Sequence, residues 1–439
     1  MREGWESFKL KEVCEIRPPK RESKEILSED DLVSFVPMSH LNEERKDFHE
    51  EEAKPLKSVY KGYTYFKDED VLLAKITPCF ENCKMGIAKG LTNGVGFGSS
   101  EFIVYRTDFR LISEYLFYFL LLPKFRAQGV KMMGGAVGHQ RIPKEFYEDY
   151  EIPIPPLPEQ KRIVAILDEA FEAIDKAKAN IERNIQNAEE LFQSKLNEIF
   201  SQRGEGWVSN KLKDITTKIG SGATPRGGKK NYKKSGISLI RSLNVYDDGF
   251  EEEKLAFIDE EQAEKLSIVE LFEGDVLLNI TGASVARCCV VPKDFLPARV
   301  NQHVSIIRLA EGVMNEHFLH YLLISKPYKD KLLGIGEQGA TRQAITKSQI
   351  QDFKVSYPNE INEQKKLIDI LDDYRDLSIT LKDRYEAKLL SLEELKKSIL
   401  QKAFSGELTG GESGFMGLKD LQDKIVNKAA EVETEYEVR

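Results

Sequence analysis

Apolar residues along this chain fall into two kinds of pattern, and the two alternate twice. Short β-branched runs such as "SEFIVYR" (100–106) and "HVSIIRL" (303–309) have the length and composition of strands. "EYLFYFLL" (114–121) and "EHFLHYLL" (316–323) read as short buried helices. Each set lies in a glycine-rich block, and a long heptad-spaced stretch follows each block, at roughly 159–202 and 363–404. One seam runs through Ile163, Leu167, Ile174 and Ile181, the other through Leu367, Leu371, Leu381, Leu392 and Leu395. A helix of that length is a rod of about 66 Å. The pattern predicts two compact α/β heads and two rods that pair side by side.

The alternation is a duplication. "PPLPEQKRIVAILD" (155–168) returns as "YPNEINEQKKLIDILD" (357–372), which places Glu159-Gln160-Lys161 and Glu363-Gln364-Lys365 204 positions apart. "GWESFKLKE" (4–12) returns as "GWVSNKLKD" (206–214), "EDVLLAKIT" (69–77) as "GDVLLNITG" (274–282), and "AVGHQRIPKEFYEDYEIPIP" as "GATRQAITKSQIQDFKVSYP". Two copies at so long a period mean duplicated domains, not a solenoid. The expected fold class is α+β: two similar globular α/β domains separated by two long helices that form an antiparallel coiled coil, pseudo-twofold. The boundaries this predicts are 1–150 for the first head, 151–203 for the central helical spacer, 204–356 for the second head, 357–410 for the C-terminal spacer and 411–439 for an acidic tail.

Composition narrows the class. A chain that is 41% hydrophobic and 31% charged, with no apolar run near the ~20 residues that span a bilayer, is expected to be globular, cytoplasmic and free of the membrane. Five cysteines give no disulfide framework, and Cys79 and Cys83 lack two further ligands nearby for a tetrahedral zinc. The formal charge of −9 argues on its face against a nucleic-acid partner. The excess acid lies mostly in the helical stretches and the tail, however, so each head is near neutral and free to carry a basic face.

"PIPPLPEQKRIVAILD" before a long helix, the "GATRQAI" approach to the second helix and its ending "LQKAFSGELTG" resemble the specificity subunit of type I restriction–modification systems. "DVLLAKITPCFENCKMGIA" (70–88) also resembles one type of target recognition domain in that family, with Cys83 where glycine is common. The resemblance covers residues 1 to about 410. It implies a non-catalytic DNA-reading protein whose two target recognition domains each read half of a split, asymmetric site in double-stranded DNA. It also implies paired helices that set the gap and bind two modification (methyltransferase) subunits, with two restriction/translocase subunits joining them. This chain would hold no cofactor; S-adenosylmethionine would belong to the modification subunits. The other reading of rods and heads is a coiled-coil scaffold whose heads bind proteins.

Catalytic motifs are missing. "GATPRGGKKN" (222–231) sets its glycines and lysines in the wrong frame for a phosphate-binding loop, and no Asn/Asp-Pro-Pro-aromatic, G-x-S-x-G or H-E-x-x-H occurs. The sharpest local signal is 216–246, with seven basic residues and no acid. Within it Lys229, Lys230, Lys233 and Lys234 flank Tyr232 and suit phosphate contacts. Arg226, Arg241 and Asn244 suit base edges, since guanidinium and amide groups bond guanine and adenine in pairs. The first head offers Arg17, Lys20, Arg21, His40, Asn42, Lys75, Thr77, Asn82 and Lys84. Gln140-Arg141 and Arg342-Gln343 follow glycine-rich turns at matching places, and the agreement marks them as shared backbone clamps. Reading residues are expected to differ between the copies.

Overall fold

The structure, a computed structural model, describes residues 4–48, 52–136, 138–202, 204–224, 228, 232–337 and 343–409. The tail assigned to 411–439 lies outside the described residues. The chain divides into two compact units, Met1–Glu182 with Glu386–Arg439, and Arg183–Tyr385. The division falls inside the long helices, so each unit holds one head and a portion of both rods.

In the first unit an antiparallel sheet runs in the order Cys14–Ile16, Phe102–Thr107, Val71–Ala74, Met85–Ile87. Every residue of Val71–Ala74 is buried, which explains its unbroken apolar sequence. A second sheet orders Glu52–Pro55, Leu32–Val36, Val95–Gly98 and Thr64–Lys67, its two inner strands parallel. The second unit repeats this plan. Thr216–Ser221, Val304–Leu309, Val276–Asn279 and Cys288–Val290 form the first sheet. Ala256–Ile258, Ile237–Ile240 and Ala298–Val300 form the other, which among the described residues has one strand fewer than its counterpart. The tryptophan repeats and the proline approaches turn out to be one ribbon in each head, Glu6–Lys9 with Glu151–Ile154 and Trp207–Lys211 with Lys354–Pro358.

The duplicated helix start has a structural reason. Gln160 and Gln364 are fully buried at the head of each rod. The Gln160 amide accepts from the Ile112 N–H at 3.0 Å and donates to the Arg110 and Pro155 carbonyls at 2.7 and 2.8 Å. Gln364 does the same for Asn315 at 2.9 Å, Val313 at 3.3 Å and Pro358 at 2.8 Å. One side chain thus satisfies three backbone groups where strand, loop and helix meet, and each would be costly to bury unpaired. The second half of the motif is equally specific: Tyr118 donates to Asp168, and Tyr321 to Asp372. A third repeat lies in the sheets, where Asp70 takes two bonds from Arg106 at 2.9 Å and Asp275 takes two from Arg308 at 2.7 and 2.8 Å.

Each rod is one helix of 45 residues, Leu157–Ser201 and Ile361–Ser405. In the first unit Glu159 bonds Thr409 at 2.6 Å, the Lys396 ammonium sits 4.7 Å from the Phe171 ring and Lys178 pairs with Glu393. One helix rises as the other descends. In the second unit Ser378 donates to the Ala188 carbonyl at 2.6 Å and Lys195 lies 5.6 Å from the Tyr374 ring, again antiparallel. Ile163, Leu167, Ile174, Ile181, Leu371 and Leu392 of the expected seam are buried. Leu367, Leu381 and Leu395 are only half-buried, as befits a two-helix seam with solvent on both flanks.

Candidate nucleic-acid interface

Both heads build the same backbone frame from three segments far apart in sequence. In the first, Lys75 N–H donates to the Glu101 carbonyl at 3.0 Å, Ile142 N–H to the Lys75 carbonyl at 3.1 Å and Thr77 N–H to the Gln140 carbonyl at 3.0 Å. In the second, the bonds are Ile280 to His303 at 3.0 Å, Ile345 to Ile280 at 2.9 Å and Gly282 to Gln343 at 2.9 Å. The matching bonds make Lys75 equivalent to Ile280, Glu101 to His303 and Gln140 to Gln343. Isolated bridges complete the correspondence, Ile76 with Arg141 and Thr281 with Ala344. Sequence reasoning had paired Arg141 with Arg342; the register pairs it with Ala344. What the copies share here is the glutamine carbonyl, and the arginine belongs to one head. Arg342 itself lies outside the described residues.

The first head fills its frame with charge. Arg141 donates to Glu101 from Nε at 2.9 Å and Nη2 at 2.8 Å, and Lys75 donates to the Ser100 carbonyl at 2.9 Å with Glu101 3.7 Å away. Burial pulls the Lys75 ammonium below its ordinary pKa, and the nearby Arg17 and Arg141 charges act in the same direction. Arg17 takes a left-handed φ of 58° while its N–H extends the sheet to Val104 at 2.9 Å. Five expected residues, Arg17, Lys75, Thr77, Gln140 and Arg141, therefore converge. Lys20 sits a little further along, donating to the Tyr60 carbonyl at 3.1 Å, and Arg21 is exposed at the start of the helix Glu22–Ile26.

Asn42, Asn82 and Lys84 gather elsewhere, on two adjoining loops, the first of which meets the rods. Asn42 is buried with its amide donating to the Asp47 carbonyl at 2.9 Å, and Asn82 donates to Glu43 at 3.1 Å. Lys84 bridges Glu43, whose neighbour Glu44 takes Lys396 of the rod at 2.6 Å. His40 is half-buried in the turn Met38–His40. In the second head the matching Asn244 is fully buried, donating to the Glu251 carbonyl at 2.7 Å and accepting from Arg241 N–H at 3.1 Å. Asn42, a candidate DNA contact, and Asn244, a candidate for a base edge, thus both spend amide groups on bracing their own loops.

The basic stretch is partly structural too. Tyr232 packs on Leu239, Ala256, Ile258 and Ala263 and carries the Arg241 guanidinium 5.2 Å from its ring, while Arg241 also donates to the Lys254 carbonyl. Lys233 pairs with Asp259 at 3.0 Å, and Lys234 is exposed. Arg226, Lys229 and Lys230 lie outside the described residues. Sequence reasoning missed Glu101, Thr281, Gln302 and His303, which the frame brings forward. The signal for Glu101, Gln302 and His303 was their place at or just before the start of the paired runs "SEFIVYR" and "HVSIIRL", and for Thr281 its place near the end of the repeat "GDVLLNITG".

A family model described as the type I restriction modification DNA specificity domain matches the chain twice, over residues 2–187 and 204–391. The specificity subunit of the type I restriction enzyme EcoEI of Escherichia coli is 42% identical over 163 residues, which is 37% of this chain and 27% of that protein. The match thus spans about a quarter of that relative's length. The specificity subunit of MjaVIII from Methanocaldococcus jannaschii is 25% identical over 309 residues, 67% of this chain and 70% of that one. Among solved structures, a chain from a study of assembly and conformational transition of the type I R-M system superposes with a TM-score of 0.73 at 20% identity, over 92% of this chain and 98% of that one. The HsdS subunit of Thermoanaerobacter tengcongensis gives 0.64 at 20% identity and the same coverage. The fold is that of two α/β domains linked by coiled-coil helices, and with a family match over most of its length the chain belongs to the type I restriction modification DNA specificity family.

Proposed function

We propose that this chain is the non-catalytic DNA-specificity subunit of a type I restriction–modification complex. Each head reads one half of an asymmetric, two-part site. The two rods set the gap and dock two modification subunits, which supply S-adenosylmethionine chemistry at adenine, and two restriction subunits complete the assembly. The observation that carries this reading is one backbone frame built twice with different side chains on it. A palindrome reader needs identical surfaces; a split asymmetric site needs two that differ. Lysines of 229–234 suit phosphate contacts that position the protein without reading sequence.

Adenine-methylation mapping in cells with and without the chain, supplied with its modification subunits, tests the reading: a two-part motif with a fixed gap is expected only when the chain is present. Four extra residues in one rod add about 6 Å of rise. That is expected to lengthen the gap by one to two base pairs at ~3.4 Å per step. An unchanged gap would remove the spacer role.

A further inference from the structure

In the second head the frame carries a relay of neutral hydrogen-bonding groups. Thr281 Oγ1 lies 2.6 Å from His303 Nδ1, His303 Nε2 lies 3.2 Å from Gln302 Nε2, and Thr224 Oγ1 donates to Gln302 Oε1. Because Gln302 donates to Nε2, the imidazole proton sits on Nδ1 and points at Thr281. The relay is anchored from below. Asn301 is buried; its side chain accepts the His303 N–H at 3.0 Å, and its carbonyl accepts the Gly222 N–H at 3.1 Å. Gly222 approaches so closely that a Cβ there would collide with the Val300 carbonyl oxygen. Two residues later Thr224 lies within the acid-free basic run 216–246.

Gln302 itself is exposed. An amide has two N–H donors and two oxygen lone pairs. Here His303 takes one donor and Thr224 fills one lone pair. One donor and one acceptor remain, on an exposed side chain that its two neighbours hold in place. That pair is the complement of the adenine edge in the major groove, N6–H and N7. The equivalent of Gln302 in the first head is Ser100, beside Glu101 with Arg141 and Lys75 bound to it, a charged arrangement with no amide at that place.

We propose that Gln302, oriented by Thr224 and His303, reads one adenine in the half-site of the second head. The inference rests on the DNA-specificity reading above. Its test is methylation mapping with the full complex carrying the unaltered chain, Gln302→Ala or Gln302→Glu. The alanine variant is expected to lose preference at one adenine of one half-site by on the order of tenfold, with the other half-site and the gap unchanged. The glutamate variant, an acceptor without a donor, is expected to shift that position toward cytosine, whose N4–H donates. The untouched half-site in the same molecule reports that the chain is folded. A two-part motif that stays the same in both variants overturns the inference and leaves the specificity reading standing; an unaltered chain that yields no two-part motif overturns that reading. If Gln302→Ala abolishes methylation, binding of the variant complex to four duplexes differing at that position decides: equal affinities support the inference, and a retained adenine preference overturns it.

Discussion

The two heads share a set of buried polar braces and differ in the side chains of the frame. Gln160 and Gln364, Asp70 and Asp275, Asn42 and Asn244, Tyr118 and Tyr321 repeat as pairs, and each satisfies groups within its own head. At the shared frame the agreement stops: Lys75, Glu101 and Arg141 stand in one head where Ile280, His303 and Ala344 stand in the other. A buried donor without a partner is paid for in stability, so duplication preserved the partners; a position with no such partner to satisfy carries no such penalty and was free to diverge.

The sharpest break of this comparison comes from the paired arginine and aspartate. Removing one partner of a buried pair costs about 3–5 kcal/mol when the other is left without compensation. Arg308 in the second head would keep the Glu270 carbonyl at 2.9 Å and the Phe272 ring at 4.0 Å but, among the described residues, no carboxylate, so Asp275→Ala is expected to cost that much. Arg106 in the first head also binds Glu22 at 2.7 Å, so Asp70→Ala is expected to cost less. The protein has two tryptophans, Trp5 in one head and Trp207 in the other, and each can report its own head once the other is changed to phenylalanine. Urea unfolding of Asp275→Ala followed at Trp207, and of Asp70→Ala followed at Trp5, should show the larger loss at Trp207. Equal losses would mean that Glu22 contributes nothing.

A buried position that breaks the repeat gives the next effect. His320 occupies the place of Phe117, one residue before the paired tyrosines, and its Nε2–H donates to the Asp247 carbonyl at 3.1 Å. Burial pushes His320 down to about 4, and the nearby Arg375 and His317 act in the same direction. Lys329 is adjacent through its pair with the Asp247 carboxylate. The unfolded chain binds a proton near pH 6.5 while the folded head refuses it until about 4, so stability falls as pH drops through that window. The loss is about 3 kcal/mol by linkage, and it is confined to the second head. Acid unfolding read at Trp207 should flatten in His320→Phe, while the Trp5 signal keeps its pH profile. A Trp207 profile unaltered by that substitution would show that other groups set the acid limit.

The duplication, the strand and helix runs and the two rods were legible because each rests on local period and on comparison of the copies. The frame was not, because it joins residues 75, 101 and 142, or 280, 303 and 345, and no local pattern ties them together. Side-chain type also misled. An asparagine that braces its own loop and one that faces a base have the same letter, and only burial separates them, as Asn42 and Asn244 show. Tyr232 stands among lysines in the sequence, and its ring supports the smaller sheet and props Arg241.

The smallest effect concerns a turn where both heads depart from the residue the backbone favours. Cys83 has φ of 53° and Ala286, its equivalent, φ of 67°. A left-handed conformation costs a residue with a Cβ roughly 1–2 kcal/mol, and glycine avoids it at an entropic cost of about 0.5–1 kcal/mol. Packing decides what is left. Ala286 is fully buried, so glycine there also forfeits about 0.8 kcal/mol of methyl burial and the substitution should be neutral. Cys83 is only half-buried, and its thiol makes one weak contact, 3.8 Å from the Glu81 carbonyl. Cys83→Gly is therefore expected to stabilise the first head by a few tenths of a kcal/mol, the net of relieved strain and lost chain restriction. Urea midpoints at Trp5 for Cys83→Gly and at Trp207 for Ala286→Gly would measure both, and a loss beyond about 1 kcal/mol at Cys83 would mean that its side chain packs more than its partial exposure suggests.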